Sequence, residues 1–299
     1  MNSILLISHN PIPNNHIFDS FQDGKVDPFT SSGTIDPKTI SHSERYGLHS
    51  VRILIEESWN RNQIVTIRER FAKYKIDLLY LPFLLPTKQT SLFIFDMDST
   101  VIREEVIDEL ARKHGVFEEV ASVTKRAMEG GMGFDEALRL RVKHLAGLSI
   151  QSFKEVYDLL HLNDGMETVF QFLSSNGCKL GILSGGFSPV LELFSKKYPV
   201  DFFRANGLEE KDGFFTGQIV GEIINREKKE VYLRKYANEF SVPLERVVAV
   251  GDGANDALML NAAGIGIGIH AKQGLKDQII NWIEFTDLSA LVFLFESSF

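Results

Sequence analysis

Three short apolar runs, Leu92–Phe95, Leu180–Leu183 and Val247–Val250, constrain this chain most, because each breaks off directly into a polar or glycine-bearing segment. Runs of four apolar residues without polar alternation read as strands buried on both faces, the pattern of a parallel sheet covered by helices. Longer helical patterns separate them, so an α/β fold follows. In open α/β sheets the carboxyl ends of the strands meet at one crevice, so the three polar ends are expected to converge there.

Those ends carry distinctive chemistry. The first is Asp96-Met97-Asp98-Ser99-Thr100, two carboxylates one residue apart at the mouth of a buried strand. Like charges that close repel, and burial adds a desolvation penalty, unless a cation or a proton transfer uses them. The pair therefore asks for a hard metal ion. The second is Ser184-Gly185-Gly186, a hydroxyl followed by backbone amides free to face an anion. The third, Gly251-Asp252-Gly253-Ala254-Asn255-Asp256, adds two more carboxylates on a tight turn. Each segment alone is a common turn; their joint occurrence after three buried strands is the argument. A cation to offset phosphate charge is sought at Lys228-Lys229, on a helical pattern running to Asn238.

Between the first two strands lie about eighty residues of helical pattern, Glu104–His114, Val116–Met128, Phe134–Leu145 and Ser152–Leu160. A crossover needs only about 10 to 12 residues, so an inserted helical cap is expected over roughly 104–165. The Gly264–Gly268 run lacks the spacing of a nucleotide loop and reads as a buried small-residue strand, and His270 after it has no evident partner.

Upstream, Val51–Ile55, Ile64–Tyr74 and Leu78–Leu81 read as strand, helix and strand, with Pro82, Pro86 and Thr87 as a linker. Residues 10–50, rich in Pro, Asn, Ser and Gly, read as a long surface excursion. The expected division is a small N-terminal α+β domain, 1–86, and a second domain, 87–299. A net charge of −8 argues against nucleic-acid and membrane partners. Met1-Asn2-Ser3 and the short run Ile4–Ile7 lack the features of a secretory leader, no run approaches the ~18 apolar residues of a membrane helix, and the single Cys178 excludes an internal disulfide. A cytoplasmic location is expected.

From Ser91 onward these motifs, in this order, resemble the haloacid dehalogenase (HAD) superfamily and, within it, the phosphoserine phosphatase family. Asp96–Thr100, Ser184–Phe187 and Gly251–Asp256 match its three core motifs, and counting back from the last one selects Lys229 over Lys228. The resemblance implies a Rossmann-like HAD core and hydrolysis of O-phospho-L-serine, the last step of serine biosynthesis. Asp96 would be the nucleophile and Asp98 the general acid/base. Asp96, Asp98 through its carbonyl, and Asp252 would hold Mg2+. Ser184, Gly185, Lys229 and Asn255 would bind phosphate, with Asp256 in support. Glu105 would grip the substrate ammonium and Arg141 its carboxylate, with Met128 and Phe134 as apolar lid contacts. For residues 1–86 the resemblance implies either an ACT-like regulatory module or an oligomerisation element supporting a homodimer. The alternatives are a related phosphatase for another small phosphorylated metabolite and a non-catalytic, phosphate-responsive regulatory protein.

Overall fold

The computed structural model describes residues 2–21, 40–55 and 58–298, apart from the side chains of Phe18, Asp19 and Met128. Strand β1 (Asn2–Ser8), helix α1 (Asn14–Phe21), strands β2 (Ile40–Arg45) and β3 (Leu48–Ile55), helix α2 (Arg61–Ala72) and strand β4 (Asp77–Leu81) form an antiparallel sheet in the order β2-β3-β1-β4. Alternation decides its two faces. Ile4, Leu6, Val51 and Ile53 pack under α1 and α2, whereas Leu5, Ile7, Leu79 and Leu81 join the core of the rest of the chain. The excursion expected over 10–50 is corrected at both ends: 14–21 is helical, 40–45 is a strand and 48–50 begin another, while 22–39 lie outside the described residues. Proline and asparagine upstream of α1 hid the helix, and the polar β2 is an edge strand that lacks an apolar face. The apolar run Ile4–Ile7 is the middle of the central strand β1.

The stretch 82–90 is a packed connector more than a spacer. Leu84 and Leu85 are buried, and Leu85 exchanges backbone hydrogen bonds with Leu294 and Glu296. It leads into β5 (Leu92–Phe95), followed by the cap helices α3 (Val106–His114), α4 (Phe117–Met128), α5 (Phe134–His144) and α6 (Gln151–Tyr157). The chain leaves and re-enters the core side by side, since Ile102 pairs with Leu162 and the Arg103 amide donates to His161 O. Then come α7 (Met166–Ser175), β6 (Lys179–Phe187), α8 (Ser188–Lys197), β7 (Phe202–Lys211), β8 (Phe214–Val220), α9 (Arg226–Glu239), β9 (Val247–Gly251), α10 (Ala257–Ala262), β10 (Ile265–Ile269), α11 (Gln273–Lys276) and β11 (Asn281–Ile283).

The second sheet runs β11-β10-β9-β5-β6-β7-β8, parallel except for the β7–β8 hairpin. The three expected strands are neighbours, with β5 in the centre, and the glycine run is β10. The buried turn Leu288–Leu294 lies between this sheet and the N-terminal one, so both sheets share one apolar core. Asn281 extends the junction: its Oδ1 accepts from the Tyr80 amide at 2.7 Å and its Nδ2 donates to Tyr80 O at 2.9 Å. Among the described residues no helix is long and apolar enough to cross a membrane.

Candidate active site

The three strand ends meet as the sheet order requires. Central β5 delivers Asp96, its neighbour β9 delivers Asp252 and Asp256, and one carboxylate oxygen from each lies within 4.8 Å of the others. Lys229 enters from α9, which is capped by Asn225, whose Oδ1 accepts from the Lys228 amide. The Lys229 ammonium is fully buried, 2.7 Å from Asp96 Oδ1 and 2.6 Å from Asp256 Oδ1. Lys228 points outward to Glu222, so burial separates the two lysines as the motif spacing does. Burial opposes the charge on Lys229, but Asp256 and Asp96 outweigh it and its pKa is raised. Burial and then the Asp96 charge push the Asp256 carboxyl up to about 7, against the pull of Lys229. Asp252 is raised for the same two reasons.

After β5 the chain winds one tight turn over Met97–Val101, with Ser99 in the left-handed region at φ 57°. That turn sets Asp98 between the start of α3 and the Ser-Gly-Gly segment. Asp98 Oδ1 accepts from the Val106 amide at 3.2 Å, and Oδ2 lies where a side chain on Gly186 would collide with it, 2.8 Å from the Cβ position. Burial, then Glu105 and Asp96, raise the Asp98 pKa well above the ordinary carboxylate value. Ser184 Oγ accepts from the Gly186 amide at 2.8 Å, drawing the Ser-Gly-Gly turn tight beside Asp98. A substituent on Gly185 would meet the Phe134 ring at 3.2 Å, so Phe134 sits over the turn. Asn255 is half-buried on the third turn, with its Nδ2 3.5 Å from Asp256 Oδ1.

The cap brings Glu105 and Arg141 over the same point. Glu105, at the start of α3, accepts from Ser99 Oγ at 2.9 Å. Arg141, on α5, is largely buried; burial lowers its pKa while the charges of Glu105, Asp108 and Asp98 oppose that. Its Nε has no hydrogen-bond partner. Met128 closes α4, and its side chain lies outside the described residues. The cap is tied to the core beside the Ser-Gly-Gly turn by Asn225 Nδ2, which donates to Asp135 Oδ1 on α5 at 3.2 Å.

Two residues escaped the sequence reading. Asn206 is fully buried on β7; its Nδ2 donates to Gly185 O and Gly186 O at 2.8 and 3.1 Å, and its Oδ1 accepts from the Ile224 amide, so it holds the Ser-Gly-Gly turn. Lys272 follows β10, and its Nζ lies 2.9 Å from Asp252 Oδ2 and 3.5 Å from Glu105 Oε1. Lys272 follows the rule used for the other three motifs, a polar residue just past the carboxyl end of a core strand, with β10 as a fourth such end, whereas Asn206 sits in the middle of β7. His270, next to it, carries positive φ and donates its amide to Ile283 O, a turn role.

The donor set suits a hard divalent cation: three clustered carboxylates, all oxygen, with no histidine or thiolate among them. The haloacid dehalogenase-like hydrolase family matches residues 90–264. The phosphoserine phosphatase of Archaeoglobus fulgidus is 38% identical over 211 residues, 71% of this chain but 61% of that protein's length. That of Streptococcus thermophilus is 41% identical over 201 residues, covering 67% of this chain and 94% of the relative. A crystal structure of a probable phosphoserine phosphatase from Vibrio cholerae, unliganded, superposes with a TM-score of 0.79 at 29% identity, covering 99% of this chain and 87% of that one, the N-terminal sheet included. With the family matched across more than half of the sequence and its motifs gathered at one sheet edge, the chain belongs to the haloacid dehalogenase-like hydrolases.

Proposed function

We propose that this chain is a Mg2+-dependent phosphoserine phosphatase, acting through an aspartyl phosphate on Asp96. The observation that carries the substrate is Arg141: a mostly buried guanidinium with an unpartnered Nε, under the cap and among the charges of Glu105 and Asp98. A buried donor without an acceptor is costly, and a substrate carboxylate would supply one. Glu105 provides the complementary anion for an ammonium group. Relatives named phosphoserine phosphatase support the same reading.

In the first step a carboxylate oxygen of Asp96 attacks phosphorus in line, and the bond from phosphorus to the serine oxygen breaks. Lys229 holds Asp96 in place and offsets the charge of an incoming anion. Asp98, whose raised pKa keeps a proton available, gives it to the departing serine oxygen. In the second step Asp98 takes a proton from water as that water attacks phosphorus, and Asp96 is released. Ser184 and the Gly185 amide, set by Asn206, bind phosphoryl oxygens, with Asn255 beside them. Mg2+, held by Asp96, Asp252 and the Asp98 carbonyl, would neutralise phosphate charge. Asp256 supports Lys229. Phe134 and the cap exclude bulk water while the serine leaves.

The test is acid quenching after incubation with radiolabelled phosphoserine and Mg2+. The native chain is expected to trap a hydroxylamine-sensitive phosphoprotein, and Asp96→Asn to trap none and release no phosphate; label retained on Asp96→Asn would refute the nucleophile. A panel of phosphorylated metabolites hydrolysed as readily as phosphoserine would refute the substrate.

For residues 1–86 we propose a fixed packing module that completes the core, with any homodimer contact at the β2 edge. The observation behind this is that one face of its sheet is buried against the Leu288–Leu294 turn. Truncation at Pro86 would then cost stability, and a truncated chain melting as the full chain does would refute it.

A further inference from the structure

Where α2 and β4 meet α11 and β11 there is a cavity of about 440 Å3, the size of a small-molecule pocket. Arg68 and Ile76 line it from one side and Trp282 and Phe285 from the other, and none of its lining residues belongs to the proposed catalytic set.

Arg68 is the anomaly in this wall. It is only 6% exposed, its guanidinium carbon lies 3.6 Å from the centre of the Trp282 ring, and Nη2 donates to Leu78 O at 2.8 Å. Its Nε and Nη1 have no acceptor. Among the described residues no carboxylate is within ion-pairing distance of it. Asp77, whose charge it feels, is committed elsewhere: it accepts from the amides of Glu284, Phe285 and Thr286 and from the Thr286 hydroxyl. The other cations of the wall are also spent, Arg61 on Ile279 O and Lys276 O, and Lys276 on Glu284. Burial, with Arg61 adding to it and Asp77 opposing, pushes the Arg68 pKa down to about 9.

A buried guanidinium with two unmatched donors is expensive, and a planar carboxylate matches its geometry. Val65, Ala72, Ile76 and Trp282 offer an apolar bed for the rest of the ligand. Glu69, Asp277 and Glu284 around the same cavity would repel a second negative charge. We propose that this cavity binds a small monocarboxylate with an aromatic or aliphatic body, its carboxylate on Arg68 and its body against Trp282.

The probe is benzoate, titrated by calorimetry into the full-length protein, with benzamide as the neutral isostere. Saturable binding of benzoate is expected, with benzamide at least about tenfold weaker. Arg68→Met removes the donors and Ala72→Trp, one helical turn along α2, fills the cavity while keeping the guanidinium; each should weaken benzoate at least about tenfold while phosphate release is retained. Should Arg68→Met fail to fold, Ala72→Trp and benzamide still decide. No saturable heat up to about 10 mM benzoate, equal affinity for benzamide, or benzoate binding that survives Ala72→Trp would each overturn the proposal.

Discussion

Replacing Lys229 with methionine keeps an unbranched side chain one atom shorter and removes its charge. What remains is a fully buried methyl group facing Asp96 and Asp256, whose oxygens lay 2.7 and 2.6 Å from the ammonium. Removing one partner of a buried ion pair typically costs about 3–5 kcal/mol, because the other charge stays behind uncompensated. An unfolding entropy of about 2.1 cal/mol/K per residue amounts to roughly 0.6 kcal/mol/K for a chain of this length, so Tm should fall by roughly 5–8 °C. The conversion assumes that the chain melts as one unit, which the core shared by the two sheets favours. Adding Asp256→Asn to Lys229→Met removes one stranded charge and should recover a good part of the loss, whereas phosphate release stays absent in both. Thermal scans in EDTA read the stability, so that an added cation does not stand in for the ammonium. A fall of less than about 1 °C, or a double variant less stable than the single one, would refute the view that Lys229 is needed to compensate these carboxylates.

Arg141→Ala should cut kcat/KM on phosphoserine by about a hundredfold or more, roughly 3 kcal/mol for a lost charge-assisted contact, and leave a small aryl phosphate within about threefold; equal losses on both would rule out a carboxylate role. Asp77→Ala strips one acceptor from three amides and a hydroxyl at the junction of the two sheets, and should lower Tm by roughly 3–6 °C with kcat at 25 °C unchanged; an unchanged Tm would mean that the junction does not depend on it. Burial pushes the Cys178 thiol up to about 11, against a hydrogen bond with the Ser91 backbone. At pH 8 only about 0.1% is thiolate, so a disulfide reagent should react more than about a hundredfold slower than with free cysteine, and a comparable rate would show the thiol to be accessible and unperturbed.

The core strands were legible because burial on both faces leaves unbroken apolar runs, and β5, β6 and β9 fall where those runs lie. Lys229 was separable from Lys228 only through the spacing to Asp252, since helical periodicity alone leaves either lysine on a solvated face. The N-terminal region was legible in part. Its β3, α2 and β4 carry apolar periodicity, but β2 is a polar edge strand and β1 is so short and apolar that it was weighed only as a leader. Lys272 passed unnoticed because one polar residue beyond a strand is ordinary until the strand's neighbours are known, and Asn206 because one polar residue within β7 shows its burial only once the sheet is assembled.

By itself, then, the sequence determined that Asp96, Asp98, Ser184 and Asp252 gather at one place, because strand ends in a parallel sheet converge whatever lies between them, and the spacing to Asp252 picked out Lys229 on α9. Only the tertiary structure decided three things: that Asp256 shares Lys229 with Asp96, that Asp98 lies against Gly186, and that the cap sets Arg141 and Phe134 over the same spot. These depend on distances between segments far apart in the chain, and local patterns carry no record of such distances. The same reason kept Arg68 out of sight: as a residue of α2 it is an ordinary helical arginine, and it becomes an unmatched buried cation only when Trp282 and Asp77 close around it.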